Sequence, residues 1–183
     1  NKTNSLRDKV SKHHAEHPGA PARAMTLQDD ANPNNPRIFE RGNPANPGRE
    51  VPRRFLAALS PKAQRKPYGK GSGRLKLAQS ILHPKNPLTA RVFVNRAWEK
   101  LLGEGIVRTP SDFGLRGDPP THPLLLDHLA TFFVADSWDV KRLVRNIALS
   151  DVYRQASDQP PPLDPQNRFL SVMNRKRLDF EAM

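Results

Sequence analysis

The sequence predicts a mainly α (α+β) fold, a small helical domain with long Pro-rich connections and a short β hairpin or strand pair near the N-terminus. Three observations carry that expectation. Apolar residues recur at helical spacing in several runs between Leu75 and Tyr153. Proline takes 19 of 183 positions, about twice its average usage. Upstream, two short extended stretches flank a dense turn signal. A hydrophobic share of 36%, below the ordinary globular value, limits the core to a modest size.

Residues 1–20 are polar, with His13, His14 and His17 ahead of Pro18-Gly19. They are expected to be a linker, or the frayed helical end of a preceding region. Residues 21–183 then form a single mostly helical domain, with a basic lead-in segment carrying short strands (21–76) and a helical core (77–183). In the lead-in, residues 22–27 and Arg37-Ile38-Phe39 are extended, and Asn32-Pro33-Asn34-Asn35-Pro36 is the turn expected to pair them. Arg41-Gly42-Asn43-Pro44 ends the second run, and Asn46-Pro47-Gly48 adds a turn in which Pro sets φ and Gly permits positive φ. Residues 52–59 are expected to make a short helix with Phe55, Leu56 and Leu59 on one side. A basic loop follows over residues 60–73. Leu75, Leu77, Ala78, Ile81 and Leu82 then mark a helix that His83-Pro84 stops.

The next helix is the best marked. Asn86 is a good N-cap, and Pro87 suits the first helical position because that N–H has no partner to lose. Ala90, Phe93, Val94, Ala97, Trp98 and Leu101 form its apolar stripe, and Gly103 supplies its stop. Arg91 and Asn95 lie on the shoulder of the stripe, while Arg96 and Lys100 point towards water. Residues 105–117 are irregular, with Phe113 expected to plug the core and Asp112 to turn the loop. Thr121 is the expected cap of a helix carrying Leu125, Leu129, Phe132 and Phe133 inward. Asp139 caps another, with Val140, Leu143, Val144 and Ile147 buried and Trp138 stapled onto Leu143. After the rigid Pro160-Pro161-Pro162, a last helical segment carries Phe169, Leu170 and Met173. Residues 177–183 read as a helix cut before its C-cap, so the chain is expected to belong to something longer.

Charge and composition limit the function classes. The formal net charge is +12, and residues 37–76 hold eleven Lys/Arg against two Glu. A solvated surface, or a face covered by acidic parts of a longer protein, is the favoured reading of this patch; the alternative is that its field attracts polyanions. The nominated contacts are Arg41, Arg49, Arg53, Arg54, Lys62, Arg65, Lys66, Lys70 and Arg74. Anionic polysaccharide is the favoured ligand class; nucleic acid is disfavoured because few aromatics interleave these cations for base stacking. Zero Cys excludes disulfides, zinc–thiolate sites and a covalent c-type haem within this chain. No window reaches ~18 uninterrupted apolar residues, so no membrane span is expected.

Chemical motifs are weak. His13 and His17 stand at i, i+4, but a zincin needs Glu directly after the first His, and His14 occupies that place. No third ligand is evident, so no metal site is assigned. Gly69-Lys70-Gly71-Ser72-Gly73 lacks P-loop spacing, and Asp112-Phe113-Gly114 lacks every other kinase motif. A pocket of Asn95, Arg96, Asp112 and His122 is the remaining catalytic candidate; the alternative for Asn95 and Arg96 is to satisfy the backbone of the 105–117 loop.

One resemblance is specific. Asn86-Pro87-Leu88-Thr89-Ala90-Arg91-Val92 and Val94-Asn95-Arg96-Ala97-Trp98 lead into Gly105-Ile106-Val107-Arg108-Thr109-Pro110-Ser111-Asp112-Phe113-Gly114. Pro119-Pro120-Thr121-His122-Pro123, residues 138–149 and Tyr153-Arg154-Gln155 continue the pattern. So do residues 164–167 and 177–182, and upstream Arg41-Gly42-Asn43-Pro44 with residues 48–55. This pattern, over roughly residues 18–183, resembles a C-terminal domain of unknown function in large planctomycete and verrucomicrobial proteins whose N-terminal part often carries a cytochrome c domain. Leu124 departs from it, standing where such proteins usually show an acidic residue. The resemblance implies export to the periplasm or cell surface, membership of a multidomain chain whose other domains are the partners, and haem only in those other domains. It assigns no catalytic residues. The expected role is an accessory or interaction module, with anionic polysaccharide binding or a part in a hydrolytic or redox enzyme as alternatives.

Overall fold

A computed structural model describes residues 2–19, 26–62, 65–69 and 71–175. In chain order these hold α1 (Lys2–Glu16), β1 (Arg37–Phe39), β2 (Pro47–Glu50), α2 (Arg74–Ile81), α3 (Thr89–Leu102), α4 (Pro123–Ala135) and α5 (Val140–Ala148). Short 3-10 turns occupy Glu40–Gly42 and Ala57–Leu59. The architecture is mainly α with one small antiparallel hairpin, in agreement with the fold class read from the sequence.

The core is built on α3, which packs along α4 and against α5. Val94, Trp98 and Leu102 from α3 meet Leu126, Leu129 and Phe133 from α4 and Leu143 and Ile147 from α5. Ile106 and Val107 seal the group from the loop after α3, and Phe113 packs against it as expected. Capping explains where these helices stop and start. Gly103 ends α3 at φ 90°, with its N–H donating to the Glu99 carbonyl at 2.8 Å. The Asp139 carboxylate accepts from Arg142 N at 3.1 Å and opens α5.

The structure moves several expected boundaries. α3 begins at Thr89 rather than Pro87, because Asn86 closes a local turn instead: its Oδ1 accepts from Leu88 N and its Nδ2 donates to the Ile81 carbonyl. α4 is led by His122 without a side-chain cap, since the Thr121 hydroxyl donates to the Ile106 carbonyl. Leu126 joins the core in place of Phe132, which lies under the Arg142 guanidinium at 5.8 Å. Val140 faces outward, and the Trp138 ring meets Phe133 edge-on at 5.1 Å.

Residues 2–16 form a helix, the second of the two readings of residues 1–20, with an exposed Lys12–Glu16 pair at i, i+4. Two other expectations for the outer regions are corrected. The hairpin pairs β1 with β2, Arg37 opposite Glu50 and Phe39 opposite Pro47, so the turn is residues 40–46 and not 32–36. Residues 26 and 27 lie outside the strands, and residues 22–25 lie outside the described residues. The Asn35 side chain donates to the Glu50 carboxylate and accepts from Arg53, pinning residue 35 beside the hairpin. The final helical segment is absent over residues 163–175. There the Asp164 carboxylate accepts from Arg168 N and Phe169 N, and the buried Asn167 accepts from Ser171 N. These side chains compete for N–H groups that a helix would need. The expected helix over 177–183 lies outside the described residues.

Candidate functional site

Among the described residues, an open groove of about 810 Å³ lies beside α3. One wall comes from Arg54, Phe55, Leu56 and Leu59, and α2 adds Leu77 and Ile81. The other comes from Val92, Phe93 and Arg96 of α3, with Phe133, Trp138 and Val140 behind them. Helical spacing aims the α2 and α3 residues to one side, as their periodicity requires. What the periodicity did not convey is that this side stays wet. No residue of α2 is buried, and Leu56 and Leu82 keep 64% and 53% of their surface exposed.

Its floor is an aromatic ladder. Phe93 stacks on Phe133 at 4.9 Å between centroids, and Trp138 closes the ladder from the far side of Phe133. Trp138 is held there by backbone of unusual hand: Ser137 and Trp138 have φ of 56° and 63°, and Trp138 N donates to the Phe133 carbonyl at 2.9 Å. Left-handed backbone is uncommon for residues with a Cβ.

The four catalytic candidates are not gathered around this groove. Arg96 lines it and is exposed. Asn95, one residue earlier and fully buried, faces the loop instead: its Nδ2 donates to the Val107 carbonyl at 2.9 Å and its Oδ1 accepts from Val107 N at 2.8 Å. A buried amide satisfied on both sides holds backbone in place. A Cβ on Gly105 would stand 2.8 Å from Asn95 Nδ2 and 2.5 Å from the Val107 carbonyl, so this approach admits only glycine. Asp112 Oδ1 accepts from Gly114 N at 2.8 Å, turning the loop as expected. His122 Nδ1 lies 3.0 Å from the Thr121 hydroxyl. Thr109 ties the middle of the loop, donating to the Asp112 carbonyl and accepting from Asp118 N. Much of the residue pattern around 105–122 therefore serves the loop's own geometry.

Eight of the nine nominated cations divide into two groups. Arg53 donates to Asn35 and to the Gly71 carbonyl at 2.7 Å, Arg65 donates to the Ser60 carbonyl, and Arg74 pairs with Asp29 at 2.6 Å. Arg41, Arg49, Arg54, Lys62 and Lys66 are exposed and make no such bond among the described residues. Lys70 lies outside the described residues. Sequence reasoning missed Asp29. Its carboxylate accepts from the Ser72 hydroxyl, from Ser72 N at 2.9 Å and from Arg74, which holds its pKa down at about 2. That clasp ties residue 29 to the start of α2. On the opposite side of α3, Arg91 donates to Asp127 at 2.6 Å and lowers that carboxyl below its ordinary range. Among the described residues no group of three His, Asp or Glu is placed to hold a metal, and no helix is long and apolar enough to cross a membrane.

Comparison with known proteins gives one match. No curated protein and no solved structure matches this chain. Residues 73–183 match a family described as PSD1, a protein family of unknown function (DUF1553), so the match starts at the helix α2 and takes in the whole core while leaving residues 21–72 of the basic lead-in outside. With well over half its length matched, the chain belongs to the DUF1553 (PSD1) family of proteins of unknown function.

Proposed function

We propose that this chain is an accessory, interaction module of a longer multidomain protein, exported to the periplasm or cell surface and linked to a cytochrome-type domain elsewhere in that protein. The supporting observation is the groove. Leu56, Leu77, Ile81, Leu82, Phe93 and Val140 are all large, exposed and collected along one trough. Scattered apolar side chains are ordinary on a surface, but a contiguous set of this kind marks a place where something docks. Export and the cytochrome-bearing neighbour rest on the resemblance carried by residues 86–123 and 138–155. Any haem would sit in those other domains, since this chain has no Cys to attach one. Its first partners are therefore other domains of the same long chain. Replacing Leu82 by Asp in the full-length protein is expected to free this domain, read as a new fragment in limited proteolysis. An unchanged digestion pattern overturns the proposal.

A second reading is supported by the unengaged cations Arg41, Arg49, Lys62 and Lys66. These favour an anionic, sulfated polysaccharide held by salt-sensitive attraction. Binding to a sulfated glycan, but not to a neutral one, is expected to weaken as salt is raised and on charge reversal of Lys62 and Lys66. Binding indifferent to salt removes this reading.

A further inference from the structure

We infer that the groove receives an amphipathic helix whose apolar stripe is edged with carboxylates, presented by a partner domain. This rests on the interaction reading and adds the chemistry of the occupant. Shape gives the first argument. The lining brings residues 54–59 and α2 together with Val92, Phe93 and Arg96 of α3 and with Val140, and the stacked Phe93 and Phe133 rings are part of it. An open apolar trough between helical walls suits a helix laid lengthwise, with anchors at i, i+3 or i+4, and i+7. A small amphiphile such as a fatty acid needs enclosure of its tail, and a trough that leaves Leu56 and Leu82 more than half exposed does not enclose one.

Charge gives the second argument. The two ionisable residues lining the groove are both arginines: Arg54 on one wall and Arg96 on the other, exposed and without an in-chain partner among the described residues. A guanidinium lining an apolar groove and making no ion pair among the described residues is suited to bidentate pairing with a carboxylate from outside. The chain's net charge of +12 draws an acidic partner from a distance and repels a second copy. Among the described residues no helix is of this kind: α2 and α5 carry only basic charges, α3 is basic in balance, α4 carries a single carboxylate, Asp127, and α1 sets Arg7, Lys9 and Lys12 against Asp8 and Glu16.

The test uses the whole 183-residue chain. Two labelled helical peptides share one leucine stripe, the first edged with Glu and the second with Lys. Binding is read by anisotropy and by the fluorescence of Trp138, which lines the groove while Trp98 is buried in the core. The Glu peptide is expected to bind and to weaken as salt rises, with the Lys peptide on the order of tenfold weaker. The double variant Arg54→Glu, Arg96→Glu is expected to reverse that order, its helical circular dichroism unchanged because both residues are exposed. Equal binding of the two peptides overturns the inference, as does binding of neither. A saturable Trp138 response to dodecanoate with both peptides inert overturns it too, and so does self-association that buries the groove. If Leu82→Asp frees the domain in the full-length protein while the double Arg variant does not, the interaction reading stands and the acidic helix falls.

Discussion

The core around α3–α5 and the segment of residues 26–88, the lead-in together with the rest of α2 and the turn after it, are held together by different physics. In the core, twelve apolar residues are buried, and the buried Asn95 amide among them is bonded through both its oxygen and its nitrogen. In the described lead-in, Ser60 is the one buried residue. Its shape comes from exposed polar clasps instead: Asp29 with Ser72 and Arg74, Asn35 with Glu50 and Arg53, and Arg53 with the Gly71 carbonyl. Burial of apolar surface is worth far more than exposed ion pairs, so stability resides in the first region and adaptability in the second. The groove runs along the seam between them, with one firm wall and one compliant wall.

That contrast can be broken by experiment. The largest effect is expected in the core: Phe133→Ala, removing a ring that is 1% exposed, should cost about 3–5 kcal/mol in urea unfolding. A loss below ~1 kcal/mol would mean the core is not where stability lies. Asn95→Leu should cost about 2–3 kcal/mol, because the Val107 N–H and carbonyl both lose their partner inside the protein. Asp139→Ala, which removes the α5 cap, should cost about 1 kcal/mol, seen as a lower melting temperature. The smallest global effect belongs to the lead-in. Asp29→Asn should leave the melting temperature nearly unchanged while hydrogen exchange speeds up around Ser72 and Arg74.

The Asp29 clasp also has a predictable pH range. Its pKa is about 2 in the folded chain against an ordinary 3.8, chiefly because the Ser72 hydroxyl and N–H donate to the ionised form. A depressed carboxyl contributes stability that is fully present above the ordinary value and disappears as pH falls towards the folded one. Loosening of residue 29 from α2 is therefore expected between about pH 4 and pH 2, followed by NMR titration of the Asp29 carboxyl. A midpoint near 3.8 would show the clasp is not formed.

The sequence made some of this legible and hid the rest for identifiable reasons. Gly103 and Asp139 act through local backbone chemistry, and both are caps where expected. Asp112 and Phe113 also behave as their loop context implies. The hairpin partner was misread because the Asn-Pro cluster at 32–36 is as strong a turn signal as residues 40–46. The helix expected at 169–173 failed because Asp164 and Asn167 take the backbone donors, which apolar spacing does not register. The helical spacing in α2 was real, but spacing reports which side residues share and not whether that side is covered. For the same reason the groove was not visible. Its walls join residues as distant as 54 and 140, and the pairing exists only once the chain has folded.

The left-handed pair Ser137-Trp138 has one more consequence. It sets a single indole against Phe133 at the centre of the core and also at the floor of the groove. Occupancy of the groove is thereby linked to the folding equilibrium by mass action. A groove ligand present at a hundredfold over its dissociation constant would add about 2.7 kcal/mol to the stability of α3–α5, so the domain should melt later with the groove filled than with it empty.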